Sequence, residues 1–283
     1  MTEPSDSPLL GRTILITGAN TGIGRSAALM LARRGAKMVL AGRSEERHRP
    51  VLDAIRSAGG DARFIALDLG DLASVERCAE AFLAWDEPLH VLLNNAGLAG
   101  NKGLTAQGFE RTFGVNHLGP YALTERLLDR VKRSAPARIV NVASGSHYRV
   151  RKLDFDAFSR PTASITGFPE YAVSKLCNVL YTMDLAERLE GTGVTTYSLN
   201  PGQVATDVWR KIPWPFRSLM KMRMLSEDEG AATSVYCAAS PDCADETGLY
   251  YDTCRVKEPA ALARDRGLRE ELMRRSREWA GVE

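Results

Sequence analysis

Thr13-Ile14-Leu15-Ile16-Thr17-Gly18-Ala19-Asn20-Thr21-Gly22-Ile23-Gly24 decides how this 283-residue chain is read. Its first five residues are all β-branched or aliphatic, as a buried strand requires, and glycines then open a helical pattern. Ile23, Ala27, Met30 and Leu31 fall at i, i+4, i+7 and i+8, and Gly35 is placed to end the helix. A glycine-rich turn between strand and helix lets backbone approach a pyrophosphate closely, while free N–H groups and the helix dipole favour its negative charge. The spacing is G-x-x-x-G-x-G rather than G-x-G-x-x-G. Such a turn is weak evidence alone, but its place between strand and helix is the context that the motif demands. Gly18, Asn20, Thr21, Gly22, Ile23 and Gly24 are therefore candidate cofactor contacts.

Outward from this turn, short aliphatic runs alternate with longer helical patterns. Strands are expected at 13–17, 38–41, 63–68, 91–94, 138–143, 195–200 and 249–251, with further helices at 45–57, 72–84, 121–133, 171–190 and 227–239. This alternation predicts an α/β fold, a single doubly wound Rossmann-type domain whose seven-stranded parallel sheet is flanked by helices. No internal repeat or Pro/Ser-rich linker divides it. The expected organisation is a flexible lead-in at 1–10, the domain at 11–255 and a C-terminal helical extension at 256–283. In that extension Leu262, Leu268, Leu272, Met273 and Trp279 form an apolar stripe that either docks on the core or meets a partner.

Composition narrows the function classes. Lys plus Arg number 37 against 35 Asp plus Glu, a net charge of +2, which argues against nucleic acid as a partner. The five cysteines at 78, 177, 237, 243 and 254 have no metal-ligand or redox spacing, so no metal site is expected and reduced thiols in a cytoplasmic protein are. No run approaches about 18 apolar residues, so a spanning helix is not expected. The acids and prolines of 1–10 do not resemble a targeting segment.

The second strand runs into Leu40-Ala41-Gly42-Arg43-Ser44, with no carboxylate before Glu45. An acidic residue at this point binds the ribose hydroxyls of NAD, whereas an arginine accommodates the 2′-phosphate of NADP. Arg43 therefore points to NADP(H). Asp68, with Leu69 beside it, ends the third strand where it can accept from an adenine amino group, although Asp there is also a common turn residue.

Tyr171 and Lys175, at i and i+4 of one helix, project from the same face. An adjacent ammonium stabilises a phenolate and lowers its pKa from about 10, which lets a tyrosine exchange a proton near neutrality. Ser144, at the end of a strand, can hydrogen-bond the same substrate oxygen as charge develops on it. Taken with Asn94-Asn95-Ala96-Gly97, Asn116, Val140-Asn141-Val142-Ala143-Ser144 and Tyr171-Ala172-Val173-Ser174-Lys175, the opening T-G-x-x-x-G-I-G resembles the short-chain dehydrogenase/reductase family, in order and over nearly the whole chain. The resemblance implies a catalytic tetrad of Asn116, Ser144, Tyr171 and Lys175. It also implies that Asn95, Ala96 and Gly97 border the cofactor, that Lys175 holds the nicotinamide ribose beside Tyr171, and that Asn116 supports a proton-relaying water. Past the sixth strand, Pro201 and Gly202 would turn the backbone against the nicotinamide, with Val204 nearby and Thr206 at its carboxamide.

Tyr171 lies 27 positions after Ser144, about twice the family's usual separation, so an inserted loop is expected to border the substrate. G-V-N-H-L-G, R-I-V-N-V-A-S and the late Y-Y-D-T-C resemble the retinol dehydrogenase branch, with light-dependent protochlorophyllide reductases as relatives. From residues 1–10, an N-terminal apolar anchor like that of the membrane retinol enzymes is not expected. The expected substrate is a lipophilic alcohol, aldehyde or ketone, with His147 and Trp209 as candidate contacts alongside Ser144 and Tyr171. The stretch 207–225 is expected to be a lid; it is rich in Trp, Phe and Met and holds Arg210, Lys211, Arg217, Lys221 and Arg223 against Asp207, a composition that suits peripheral membrane contact. Family analogy also suggests a homodimer packed through the helices around Tyr121 and Tyr171. Two other readings stay open: an NADP-binding scaffold or redox sensor without turnover, and a light-dependent C=C reductase.

Overall fold

The computed structural model describes residues 8–202 and 225–282. Its centre is an eight-stranded sheet: β1 Thr13–Thr17, β2 Lys37–Gly42, β3 Ala62–Ala66, β4 Val91–Asn94, β5 Ala137–Val142, β6 Val194–Asn200, β7 Leu249–Asp252 and β8 Arg255–Val256. The strand order is β3-β2-β1-β4-β5-β6-β7-β8, parallel except for the terminal β7–β8 pair. The seven strands expected from sequence are the seven parallel ones, and β8 adds a two-residue antiparallel edge.

Alternation along each strand divides the core into two layers. Leu15, Val39, Leu92 and Ile139 face one side, where they pack with Phe82, Leu127 and Leu180. Ile14, Ile16, Leu40, Leu93 and Val140 face the other, with Ala28, Leu31, Leu52 and Val235. Both faces are covered, which is why these strands read as continuous aliphatic runs rather than half-polar ones. The helices are α1 Gly22–Ala32, α2 Glu45–Ser57, α3 Leu72–Leu83, α4 Arg111–Phe113, α5 Gly119–Arg133, α6 Phe168–Arg188, α7 Glu227–Ala239 and α8 Arg266–Ala280. A π turn, Gly114–Leu118, joins α4 to α5.

Side chains cap α2, α3, α7 and α8: Ser44, Asp71, Ser226 and Asp265 each accept from a backbone N–H of the first turn. Thr21, which precedes α1, makes no such bond. The first N–H groups of α1 thus stay available at the point where the strand order reverses between β1 and β4, the place where open α/β sheets bind ligands.

The apolar stripe of the extension docks within its own chain. α8 buries Leu272, Met273 and Ala280 and lies against α5 and α6, the helices where family analogy would place a dimer contact. Trp279 meets Phe113 and Phe158 edge-on, and those two rings stack 3.9 Å apart. Phe158 belongs to the inserted loop, so this part of the insertion packs on the core.

The β7–β8 hairpin turns through Thr253 and Cys254, both left-handed at φ 55° and 57°. Two such residues match a type I′ turn, for which Asn-Gly is preferred because each L side chain costs about 1–2 kcal/mol in this conformation. The Cys254 N–H donates to Thr233 Oγ1, a bond that glycine keeps. Cys254→Gly is therefore expected to raise stability by about 1 kcal/mol, read as a higher denaturation midpoint at unchanged slope; a fall would show that the thiol contact matters more than the strain.

Candidate active site

At the carboxyl ends of the strands lies a cleft of about 440 Å³ whose lining includes Ile23, Asn95, Gly97, Ser144, Tyr171, Lys175, Pro201 and Gly202. Residues from five of the predicted motifs thus come together. The glycine turn forms its inner edge. A Cβ on Gly24 would stand 2.4 Å from both the Gly18 carbonyl oxygen and Asn95 Nδ2, and one on Gly18 would stand 2.9 Å from Ala96 Cβ, so neither position admits a side chain. Asn95 Nδ2 donates to Thr17 O at 2.9 Å, and the Ala96 N–H donates to Thr17 Oγ1 at 2.9 Å, which ties the end of β4 to the end of β1. Tight backbone, uncapped N–H groups and a concave surface suit a dinucleotide pyrophosphate.

Arg43 is exposed beyond β2 and has no hydrogen bond or ion pair among the described residues. Beneath it, the buried His48 donates from Nδ1 to Ser44 O (2.8 Å) and packs on Gly42. Asp68 uses Oδ1 to accept from the Gly70 N–H, so its observed work is the turn, and Leu69 is buried with its carbonyl against Gly119. Val204, Thr206, Trp209 and most of the predicted lid lie outside the described residues.

Lys175 is only 3% exposed and donates to Val142 O at 2.7 Å. Its Nζ sits 5.7 Å from the centre of the Tyr171 ring. Burial pulls the ammonium down to about 8 from the ordinary 10.5. The phenol differs from the sequence expectation: burial raises the Tyr171 pKa, and the nearby Ser144 hydroxyl offsets that in part. The lysine gives its hydrogen bond to a carbonyl instead of the phenol, so desolvation outweighs the neighbouring charge here.

Asn116 lies in the π turn and is buried. Its Oδ1 accepts from the Leu98 N–H at 2.8 Å, while Nδ2 donates to Leu98 O and to Ser174 Oγ. The side chain thereby braces the segment after β4 against α6. Such π turns are frequent at functional sites because the extra residue redirects a side chain.

His147, expected among the substrate contacts, does not line the cleft: it is fully buried, and both ring nitrogens are engaged. The outer cleft is instead formed in part by Tyr148, Arg149, Phe168, Asn200, Asp252 and Lys257. Asn200 Nδ2 donates to Asp252 Oδ1 at 3.1 Å, and Lys257 Nζ donates to Asp252 Oδ2 at 2.8 Å. Position alone could have found two of these, since Asn200 and Asp252 each end a parallel strand on the ligand-binding side. Among the described residues no cluster of His, Cys, Asp and Glu could hold a metal, and no helix is long and apolar enough to cross a membrane.

Residues 12–153 match the family model for short chain dehydrogenase. The chain is 42% identical to bovine (Bos taurus) dehydrogenase/reductase SDR family member 13 over 97% of its own length and 74% of that protein. Against human (Homo sapiens) retinol dehydrogenase 12 it is 39% identical over 97% of its length and 88% of the relative. A crystal structure of an uncharacterised Mycobacterium paratuberculosis protein superposes with a TM-score of 0.78 at 29% identity, covering 97% of this chain and 95% of that one. A structure described as an NAD(P)-dependent gluconate 5-dehydrogenase from Beutenbergia cavernae, with NADP at low occupancy, has a TM-score of 0.72 at 26% identity, covering 88% and 97%.

Because the fold lowers the Lys175 pKa, the charged lysine costs stability in full below about pH 8, and that cost fades as pH rises from 8 toward 10.5. It is on the order of 3 kcal/mol. Val142 O would keep a partner in Asn178 Nδ2. Lys175→Met should therefore be at least as stable as the parent near pH 7, with the gap closing above pH 8, while turnover is lost. A Met variant that melts well below the parent at neutral pH would contradict this.

Proposed function

The chain belongs to the short-chain dehydrogenase/reductase family, and we propose that it is an NADP(H)-dependent oxidoreductase acting on a lipophilic alcohol and its aldehyde or ketone. The observation that carries this reading is the convergence of Ser144, Tyr171 and the buried Lys175 on one cleft with the end of the glycine turn at Ile23. When bound, NADP(H) supplies or takes up the hydride. Gly18, Gly22 and Gly24 would cradle its pyrophosphate, Arg43 its 2′-phosphate, and Lys175 its nicotinamide ribose.

Ser144 and Tyr171 are placed to share one substrate oxygen. Ser144 donates a hydrogen bond to that oxygen as negative charge grows on it, and the phenol of Tyr171 delivers or removes its proton. Burial holds this phenol protonated at neutral pH, which suits it to be the general acid of carbonyl reduction. In the alcohol-oxidising direction the same group must first lose its proton, so oxidation should rise with pH while reduction proceeds near neutrality. Lys175, itself near pKa 8, keeps positive charge beside the phenol through the neutral range.

Support for the substrate class comes from the retinol dehydrogenase relatives and from Ile23, Leu98, Ala99 and Phe168 on the cleft wall. Support for NADP(H) comes from Arg43 and from the absence of a carboxylate before Glu45. The basic and aromatic composition of 207–225 supports peripheral contact with an anionic membrane from the cytoplasmic side.

The test is NADPH oxidation by purified protein with all-trans-retinal, medium-chain aldehydes and cyclic ketones, paired with NADH. Tyr171→Phe should lower kcat by about a hundredfold or more, whereas near-parental turnover would sink the assignment. Arg43→Ala should raise KM for NADPH about tenfold, the loss of one charge-assisted contact, and leave NADH unchanged. Faster parental turnover with NADH would remove Arg43 from the role given to it.

A further inference from the structure

His147 is fully buried, and its two nitrogens join segments far apart in the chain. Nδ1 lies 2.7 Å from the carbonyl oxygen of Ser144, and the backbone N–H of Ala260 donates to Nε2 at 3.1 Å. These contacts settle the tautomer. An N–H can only donate, so Nε2 must present its lone pair; a carbonyl can only accept, so Nδ1 must carry the proton. The ring is therefore neutral. It is packed between Tyr148, 4.0 Å away between ring centres, and Tyr250 at 4.7 Å.

The neighbouring contacts have the same direction. The hydroxyl of Tyr148 donates to the carbonyl of Glu258, only two residues before Ala260. The Gly145 N–H donates to Asn200 Oδ1 at 3.1 Å, and the Ser146 N–H donates to Ser144 Oγ at 3.2 Å. The residues that follow Ser144 are thus fastened on one side to the end of β6 and on the other to the segment after β8.

We propose that His147 is a positioning residue, a neutral Nδ1-protonated imidazole that ties the Ser144 carbonyl to the backbone at Ala260 and so sets the serine hydroxyl against the Tyr171 phenol. The proposal rests on the reading that Ser144 and Tyr171 act on one carbonyl oxygen. A second proton on the ring would set Nε2–H against the Ala260 N–H and open the link. Burial and the ammonium of Lys257 both lower the His147 pKa from 6.5, while the bond to Ser144 O raises it in part. Tyr148 and Tyr250, the other titratable groups against the ring, stay neutral, since burial raises both. The link consequently survives through neutral pH and opens on the acid side.

Two substitutions separate the link from mere packing. His147→Leu removes both bonds. Ala260→Pro removes the donor and sets a ring methylene against Nε2, while the Nδ1 bond to Ser144 is left in place, and φ at Ala260 is −53°, close to the proline value. With NADPH and decanal, each should lower kcat by between about tenfold and a hundredfold, the range for a displaced reacting group, while the Kd for NADPH, read by its fluorescence, stays within about twofold. The parent should lose activity below pH 6.5 in a limb that is absent from His147→Gln, whose amide does not titrate. Independently of turnover, nitrogen-15 spectra of histidine-labelled protein at pH 7.5 should show Nδ1 protonated and Nε2 bare. Parental kcat in both variants, or an Nε2-protonated or cationic ring, would overturn the proposal. Absence of carbonyl turnover by the parent, or an unaffected Tyr171→Phe, would instead overturn the functional reading on which it stands.

Discussion

An ammonium group taken out of water must be compensated, and the need to hold that of Lys175 organises this molecule's ligand-binding face. Val142 at the end of β5 gives it a carbonyl. Gly97, after β4, leaves room for it: a Cβ there would stand 3.3 Å from Nζ and 3.4 Å from Asn116 Oδ1. The π turn supplies Asn116 to brace that loop, and α6 carries the lysine itself. Four elements therefore meet at one charge, and burial there lowers its pKa. A purely structural site would gain from an apolar residue here, as replacement of buried charges by apolar groups often shows. Retention of the charge makes sense beside the phenol of Tyr171, whose ring centre is 5.7 Å from Nζ.

Holding these strand ends at one level requires a fixed register, and the sheet's centre has a device for it. Asn94 and Asn141 are direct partners across β4 and β5. Asn94 Nδ2 donates to both Asn141 Oδ1 and Thr124 Oγ1 at 2.9 Å, and Asn141 Nδ2 donates to Thr182 Oγ1 at 3.0 Å. This buried chain binds the two strands to α5 and α6. A slip by one residue would break every bond in it and reverse which side chains face the core. The lysine's helix and its carbonyl partner's strand are thereby held by the same network.

The fold was legible because both sheet faces are buried: aliphatic runs such as Ile14-Leu15-Ile16 and Leu92-Leu93 cannot be mistaken when separated by amphipathic helices. That Ser144, Tyr171 and Lys175 share one cleft was legible because a strand end and an i, i+4 helical pair put them on the ligand-facing side. The Tyr171 pKa was not, since spacing reports the neighbouring charge but not the desolvation that outweighs it. His147, open between loop structure and a substrate contact, was not legible as a link for a related reason. Its place three residues beyond Ser144 suggested the substrate side, but its partner Ala260 is 113 residues away and offers only a backbone N–H, a group common to nearly every residue. Nor did periodicity announce the π turn, because a single added residue leaves the helical pattern on both sides intact.

The segment after β7 has a larger share in the site than its position at the end of the chain suggests. The I′ turn at Thr253 and Cys254 brings Lys257 back over Asp252, where its Nζ also lies 5.6 Å from the centre of the Tyr148 ring. Glu258 and Ala260 then receive Tyr148 and His147. Farther on, Ser276 of α8 lies 3.1 Å from Nε2 of His117, the residue after Asn116, and Trp279 packs on Phe113 at the start of the same turn. The extension thus touches the supports of Ser144 and of Asn116 from two directions. It also leaves the outer cleft more polar than the apolar lid composition suggests: Asp252 is tied by Asn200 and Lys257, whereas Arg149 stands exposed without a partner among the described residues.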